Sequence, residues 1–201
     1  MIKVSIIIPA YNVENLIDRA LDSVPRRNDL EVLVCDDGST DKTWEVLENY
    51  TATHHDLNIR LFRNDANRGV GYTRNVLLDN CKGQYVTGLD ADDAYITDAW
   101  EEAMCRVTDE DIVYIDAISN NGWYVGLNET TKYTLGALWN KFVKRSFLGD
   151  ARCPETNWAE DKSLNLTLQD RPHIEKFTHI LAYRYNFPRE GSLCWIHNYG
   201  K

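Results

Sequence analysis

Carboxylates cluster at three places where they could do chemistry together. A pair at 36–37 follows an apolar run, a D-A-D-D segment at 90–93 follows another, and a Glu-Asp pair at 160–161 opens a helical pattern. Asp90 and Asp92 project to the same side if strand geometry persists, so both can approach one ion. Such oxygen ligands suit Mg²⁺ or Mn²⁺, which keep positions open for phosphate oxygens. Asp92 and Asp90 are therefore candidate metal ligands.

Each acidic cluster also has a purely structural interpretation. The segment DDGSTD at 36–41 could be a capped turn, because Asp, Gly, Ser and Thr all favour turns. The run at 90–93 could be a solvated loop. The pair Glu160-Asp161 could simply favour the positive end of a helix dipole, or it could supply a general base. Taken singly, no cluster separates the two interpretations.

A glycine-containing loop, NRGVGYTRN at 67–75, runs into a helical pattern and places Arg74 about one turn inside it. A guanidinium at that position could pair with a diphosphate, although a single arginine on a helix is often just a surface residue. The glycine spacing fits neither G-x-G-x-x-G nor a P-loop. This argues against a dinucleotide-binding dehydrogenase and against a kinase-type NTPase.

The elements that must position these residues alternate along the first half of the chain. Apolar runs predict buried strands at 3–8 (ending at Pro9), 30–35, 58–62 and 84–89. Helices are predicted over 13–24, from Thr40 or Asp41 to about 50, and from about 70 to 80. This order predicts an α/β fold with a mostly parallel sheet. The loops PAYN, DDGSTD, RNDANRG and DADD should then face one crevice beyond the carboxyl ends of the strands.

The second half is less regular. Its patterns predict a strand at 111–116, helices at 136–147 and 160–169, and a last strand at 179–186. Leu164, Leu166 and Leu168 are expected to pack the second of these helices on the sheet. Its N-terminus, with the acidic pair, would then point into the crevice.

Composition narrows the class of protein. The chain has 201 residues, 43% of them hydrophobic, which suits one globular domain. Its net charge of −9 argues against binding of nucleic acid. Five scattered cysteines without C-x-x-C spacing favour a reducing compartment. The apolar stretch near the N-terminus is too short for a signal peptide or a transmembrane segment. We expect a cytoplasmic protein, with peripheral membrane contact left open.

Taken in order, KVSIIIPAYN, DDGSTD, N-x-G-x-G-x-x-R-N, LDADD and the Glu-Asp pair resemble the inverting glycosyltransferases of family 2. The order and spacing match over nearly the whole chain. Three further segments are similar to that family: Trp139-Asn140-Lys141; Cys153-Pro154-Glu155, with Cys in place of the usual Phe; and Tyr183-Arg184-Tyr185 followed by Gly191-Ser192.

The resemblance implies a GT-A fold, the Rossmann-like fold of nucleotide-diphospho-sugar transferases, as one catalytic domain over residues 1–201. About 1–95 would be the nucleotide-binding half and about 96–201 the acceptor-binding half. Because the chain ends soon after Gly191-Ser192, it is expected to be a minimal catalytic domain.

The resemblance also implies roles for individual residues. Asp161 would be the catalytic base, with Glu160 supporting it. Asp37 would hydrogen-bond the base of the nucleotide, with Asp36 as the structural member of the pair. Asp92, with Asp90, would hold Mn²⁺ or Mg²⁺. The expected nucleotide-sugar contacts are Pro9, Ala10, Tyr11, Asp37, Asn67, Gly69, Arg74, Asp90 and Ala91. Separately from the resemblance, His197 is a candidate ligand of the metal or phosphate, because it follows Gly191-Ser192 in a tail that could fold back over the crevice.

The implied reaction is transfer of a sugar from a nucleoside-diphosphate sugar, by default a UDP-sugar, to a hydroxyl of a glycan or glycolipid. Two alternatives stay open. A nucleotidyltransferase acting on a sugar phosphate would need a glycine-rich basic loop after the first strand, and PAYNVEN has neither feature. A non-catalytic nucleotide-sugar-binding module would keep DDGSTD but would not need the carboxylates at 160–161.

Overall fold

Four parallel strands form the first half of the sheet: β1 (Val4–Ala10), β2 (Leu30–Asp36), β3 (Ile59–Arg63) and β4 (Tyr85–Gly88), in the order β3-β2-β1-β4. The computed structural model describes residues 1–133, 137–156, 159–187, 189–190 and 192. β2 is buried along its whole length and β1 at all but Pro9. Burial on both faces explains why these strands read as continuous apolar runs, and it confirms the predicted parallel arrangement here.

Pro9 lies inside β1 and does not end it, contrary to expectation. The carbonyl of Ile7 accepts a hydrogen bond from Leu89 N, so alternate residues of β1 face the β4 side. Pairing with β4 stops at Ile7 and Gly88. Pro9 therefore faces a side without a ladder partner among the described strands, and its missing N–H costs nothing there.

Three helices alternate with these strands: α1 (Ile17–Asp22), α2 (Thr43–Thr53) and α3 (Val70–Asn80). The bounds of α3 confirm the prediction. α1 is shorter than predicted and begins at Ile17, after a turn in which the N–H groups of Val13 and Glu14 donate to the side chains of Thr43 and Asp41. The carboxylate of Asp41 also accepts from Thr43 N at 3.0 Å, just where α2 begins.

The second half adds β5 (Ala94–Tyr95), α4 (Thr97–Cys105), β6 (Ile112–Ser119), β7 (Tyr124–Val125), a 3₁₀ turn (Thr131–Tyr133), β8 (Lys141–Lys144), α5 (Arg145–Leu148), α6 (Glu160–Gln169) and β9 (Glu175–Tyr185). In the described part of the chain, all nine strands join one sheet. Beyond β4 the order is β8-β6-β9-β5, with β7 on β6. β8 is antiparallel to both of its neighbours, and β9 is parallel to β6.

The predicted helix at 136–147 is wrong. Residues 141–144 form β8, which is inserted between β4 and β6, and only the short α5 follows; residues 134–136 lie outside the described residues. Val143 pairs with Val86 on one side and Ile112 on the other. These two long-range partners override the local helical spacing. The predicted strands at 111–116 and 179–186 are present and longer than predicted.

Helix α6 has the predicted bounds but only part of the predicted apolar face. Leu164 and Leu168 are buried, whereas Leu166 is 41% exposed. Residues four apart share a helix face and residues two apart do not, so the alternating leucines could not all reach the sheet.

Two further findings concern membrane spans and thiols. The described helices include none that is both long and apolar enough to cross a bilayer. The thiols of Cys35, Cys81, Cys105 and Cys153 are free.

Candidate functional site

The four loops predicted to share a crevice contact one another at the carboxyl edge of the parallel strands. Asn12 lies just after β1. Its side-chain amide oxygen accepts a hydrogen bond from Thr40 N at 2.9 Å, and its backbone N–H donates to the Ser39 hydroxyl. Arg74 near the start of α3 reaches Asp90 after β4 at 3.0 Å. The geometry therefore brings the loops together as the strand order requires.

Asp37 organises the loop that follows β3. Its buried carboxylate accepts hydrogen bonds from the side chain of Asn64 (2.7 Å) and from the backbone N–H groups of Arg68 (2.9 Å) and Gly69 (2.8 Å). Next to it, Gly38 has φ +67°, and a Cβ there would lie 2.6 Å from the Ala66 carbonyl carbon. Asp37 thus has a structural role that its sequence motif did not indicate.

Asp36, the expected structural member of the pair, is fully buried. Its Oδ1 accepts from Ser39 N at 3.1 Å, and its Oδ2 lies 3.0 Å from Arg63 Nε, whose guanidinium also stacks over the Trp44 ring. Ser39 and Arg63, which take part in these contacts, also line an open, polar pocket of about 310 Å³. The pocket is lined by Gly38, Ser39, Arg63, Asn64 and Asp65.

The other expected nucleotide contacts lie beside this pocket or along the same edge. Ala10 is buried, Pro9 is partly exposed, and Tyr11 is 43% exposed. Asn67 accepts from Gly69 N at 3.1 Å, and Gly69 has φ +90° immediately before α3. Ala91, which lies between Asp90 and Asp92 in the sequence, is buried.

Arg74 joins the two halves of the chain. Its buried guanidinium donates from Nη2 to Asp90 and from Nε to Glu160, each at 3.0 Å. Burial alone would disfavour the charge, but Asp90, Asp161 and Glu160 together hold the pKa of Arg74 well above its usual value. Nη1 is buried and has no hydrogen-bond partner among the described residues.

The segment before α6 is docked onto α3, which explains how Glu160 reaches Arg74. The side chain of Asn75 makes two hydrogen bonds of 2.9 Å to the backbone of Cys153. A Cβ on Gly71 would lie 2.1 Å from the Pro154 carbonyl oxygen, so only glycine permits this approach. Ala159 then turns the chain with φ 56°, a left-handed conformation that a non-glycine residue rarely adopts.

Asp161 occupies the first turn of α6 beside this charge cluster and is half-buried. Burial is the main cause that raises its pKa to about 6, opposed by Arg74 and reinforced by the negative charges of Glu160 and Asp90. A carboxylate with a pKa near neutrality is suited to accept a proton during a reaction and to release it afterwards.

The acidic loop is held from the second half of the chain. Asp93 is buried and accepts from the Tyr183 hydroxyl (2.6 Å) and Asn186 N (2.7 Å). Asp92 Oδ2 lies 2.7 Å from Arg189 Nε. Burial and the neighbouring charge of Asp90 raise the pKa of Asp92, and Arg189 opposes the rise.

The acidic loop fits a divalent ion only in part. Asp90 and Asp92 present two carboxylates, and the described residues contain no group of three or more His, Cys, Asp and Glu side chains placed to hold a metal. Such a pair suits an ion that takes its remaining ligands from phosphate oxygens and water, as Mg²⁺ commonly does.

Several expected residues cannot be placed and several contacts were missed. His197, Trp158 and Gly191 lie outside the described residues. Asn64 and Arg189 were not predicted as site residues from the sequence. Asn64 falls in the polar loop after β3, which could have suggested it, whereas nothing near Arg189 signals its ion pair with Asp92.

Solved structures define the class of fold. The chain superposes on the crystal structure of Staphylococcus aureus TarS 1–349 in complex with UDP-GlcNAc with a TM-score of 0.81 at 28% identity, covering 95% of this chain and 60% of that one. It also superposes on the mannosyltransferase PcManGT from Pyrobaculum calidifontis, in complex with GDP-Man and Mn²⁺, with a TM-score of 0.74. That likeness, at 23% identity over 96% of this chain and 59% of that one, bears on the fold alone. The fold is the expected GT-A fold.

A model of the family described as glycosyl transferase family 2 matches residues 5–155, so the chain belongs to glycosyltransferase family 2. Among its relatives is the Escherichia coli UDP-Glc:alpha-D-GlcNAc-diphosphoundecaprenol beta-1,3-glucosyltransferase WfgD. The two are 31% identical over 156 residues, which cover 73% of this chain and 57% of that enzyme. The chain thus spans less than two thirds of that relative.

Proposed function

We propose that the chain transfers a sugar from a nucleoside-diphosphate sugar to an acceptor hydroxyl, with the help of a divalent ion and with inversion at the anomeric carbon. The observation that carries this proposal is the double ion pair of Arg74. One buried guanidinium contacts Asp90 of the acidic loop and Glu160 beside the candidate base, each at 3.0 Å. The groups needed at the leaving diphosphate and at the attacking hydroxyl are therefore neighbours.

The proposed donor site is the carboxyl edge of the first half, residues 1–95. The polar pocket beside Gly38 and Ser39 is open to solvent and could take the base, with Tyr11 packing on the ring and Asp37 contacting it. Uridine is the favoured base, because a relative is named for UDP-Glc and a solved neighbour holds UDP-GlcNAc. Nη1 of Arg74, which is buried and has no hydrogen-bond partner in the described part of the chain, is the proposed donor to the diphosphate.

Asp92 and Asp90 are the proposed ligands of Mn²⁺ or Mg²⁺. An ion bound there would neutralise charge that develops on the leaving diphosphate. The repulsion between two adjacent carboxylates, which contributes to the raised pKa of Asp92, supports a cation at this position.

Asp161 is the proposed catalytic base and Glu160 its support. The acceptor hydroxyl loses its proton to the Asp161 carboxylate while its oxygen forms the new bond to the anomeric carbon and the bond to the diphosphate breaks. A single displacement of this kind inverts the configuration. Residues 96–201 would bind the acceptor, a hydroxyl on a glycan or glycolipid.

The two alternatives receive less support. The loop after β1 is tied to Ser39 and Thr40 through Asn12 and offers no glycine-rich basic cradle for a triphosphate. A binding module would have no use for the carboxylate of Asp161, whose pKa burial raises to about 6 beside the charges of Arg74, Glu160 and Asp90.

The test is a thermal-shift panel of UDP-Glc, UDP-GlcNAc, a dTDP-sugar and GDP-mannose, each with Mn²⁺ and with chelator. A ligand at 100 times its Kd stabilises the folded state by about 2.7 kcal/mol. We expect at least one nucleotide sugar to raise the melting temperature, more strongly with Mn²⁺. With that donor, NMR of the transferred or hydrolysed sugar should show the inverted anomer. The proposal fails if no nucleotide sugar stabilises the protein, or if the anomer is retained.

A further inference from the structure

Lys141 on β8 is buried, with only 1% of its surface exposed. Lysine is almost never buried this fully unless its charge is compensated. Its ammonium donates to the amide oxygen of Asn165 on α6 and lies 5.3 Å from the centre of the Tyr114 ring. Both partners are neutral, so they compensate little of the cost of removing an ammonium from water. Packing of the core alone therefore does not explain why position 141 is a lysine.

Asn165 links Lys141 to the proposed catalytic helix. It follows Asp161 by four residues, so the two side chains lie one above the other on the same face of α6. Asn165 is itself buried, and its amide nitrogen donates to the Lys132 carbonyl oxygen at 3.1 Å. Hydrogen bonds therefore hold both the amide oxygen and the amide nitrogen of Asn165, which fixes the rotation of α6 about its axis.

The charges around Lys141 connect it to the same helix. Burial lowers the pKa of Lys141 to about 7, while Asp161 and Glu175 act to raise it. Glu175 on β9 is already paired with Lys132, so Asp161 is the less compensated of the two carboxylates. An attraction between two charges acts equally on both, so the ammonium of Lys141 favours the ionised form of Asp161.

Apart from Lys141, one cation and two anions act on the pKa of Asp161. Arg74 on α3 favours its ionisation, whereas Glu160 on α6 and Asp90 after β4 oppose it. Lys162 follows it in the chain but is exposed, so water screens its charge. Lys141 adds a further buried cation, joined to the helix of this carboxylate through Asn165.

We propose that Lys141 is a positioning residue for sugar transfer, which holds α6 in place through Asn165 and keeps Asp161 ionised. The inference rests on the proposed function, in which Asp161 is the base. It assigns a role to the lysine of the segment Trp139-Asn140-Lys141, which touches neither nucleotide nor ion in the proposed reaction.

The experiment is a pH–rate profile of donor turnover by Lys141→Met, with donor affinity measured by calorimetry. Removing the cation raises the pKa of Asp161, so the ionised base is lost at a higher pH as the solution is acidified. Around pH 6 the amine of Lys141 is largely protonated, because its pKa is about 7, so its effect on the pKa of Asp161 is greatest there. We expect the acidic limb of the profile to move up by about one pH unit, which lowers kcat about tenfold on that limb, with donor Kd unchanged.

The matched control is Lys162→Met, the same substitution at the exposed neighbour of Asp161. Its backbone N–H, which donates to Asp161 Oδ1 at 2.8 Å, is retained. We expect this variant to have the wild-type profile. A melting curve accompanies each variant. If Lys141→Met does not fold, Lys141→Gln gives the same readout, because it also removes the ammonium and keeps a side-chain donor for the amide oxygen of Asn165.

The outcomes separate this inference from the proposed function. An upward shift in Lys141→Met or Lys141→Gln, absent in Lys162→Met, supports the role of Lys141. An unshifted limb in every variant that folds, while Asp161→Asn is inactive, overturns the role of Lys141 and leaves the base in place. Full activity of Asp161→Asn overturns the base itself.

Discussion

The two halves of the sheet differ in what holds them together. In the first half, β1 pairs in parallel with β2 and β4, and β1, β2 and β3 are each followed directly by a helix. In the second half, β8 runs antiparallel between β4 and β6, and β9 returns from the end of the chain to pair with β6. The first half is therefore specified by local repetition, and the second by contacts between distant segments.

The candidate site lies where these two kinds of structure meet. Asp37, Gly69 and Arg74 come from the regular half, whereas Glu160 and Asp161 come from a helix whose approach depends on Gly71 and on a left-handed Ala159. Substitutions in the nucleotide loops of the regular half should therefore mainly affect donor binding, and substitutions on α6 should mainly affect the transfer step.

Within the regular half, the largest expected effect comes from Asp92→Ala, which removes a proposed ligand of the ion and so should affect both donor binding and transfer. A Lewis-acidic ion contributes several kcal/mol to stabilising a leaving group, so losing its ligand should lower kcat by roughly a thousandfold and weaken nucleotide-diphosphate binding. Melting temperature should change little, because Asp92 is partly exposed. Donor turnover by this variant at the wild-type rate in the presence of chelator would contradict the metal assignment.

Arg74→Met tests the junction of the two halves through stability. The substitution leaves the buried Glu160 and the partly buried Asp90 without their common cation. Breaking a buried ion pair from one side costs about 3 kcal/mol or more, which urea denaturation would detect. The matched control is Arg106→Met, which removes an exposed pair with Glu102 and should cost less than about 1 kcal/mol. Equal losses in both variants would argue that Arg74 does not join the halves.

Asp37→Ala tests the regular half. Its carboxylate receives three hydrogen bonds from the loop at 64–69, so its loss should disorder that loop and remove the proposed contact to the base. We expect binding of free UDP, measured by calorimetry, to weaken by about 1–3 kcal/mol, the usual cost of an unpaired polar partner. Asp56→Ala, before β3 at the opposite edge of the sheet, should bind UDP normally. Unchanged affinity in Asp37→Ala would remove Asp37 from the donor site.

Local patterns predicted α3, α6 and the parallel strands because each is a single periodic segment buried by its neighbours. They could not predict β8, since Val143 becomes a strand residue only when Val86 and Ile112 lie on either side of it. The same limit applies to the site. The positions of the acidic clusters could be read from strand ends, but the ion pair of Arg189 with Asp92 joins residues nearly a hundred positions apart.

The most direct test of the central claim compares donor affinity and transfer rate in Asp161→Asn. The amide keeps the shape of the side chain and removes its basicity. Donor Kd by calorimetry should stay near the wild-type value, because the base contacts the acceptor, while kcat should fall by roughly 10²–10⁴-fold. Glu160→Gln should lose less activity than Asp161→Asn. Transfer by Asp161→Asn at near the wild-type rate would contradict the account, and an inactive Glu160→Gln beside it would place the base at Glu160.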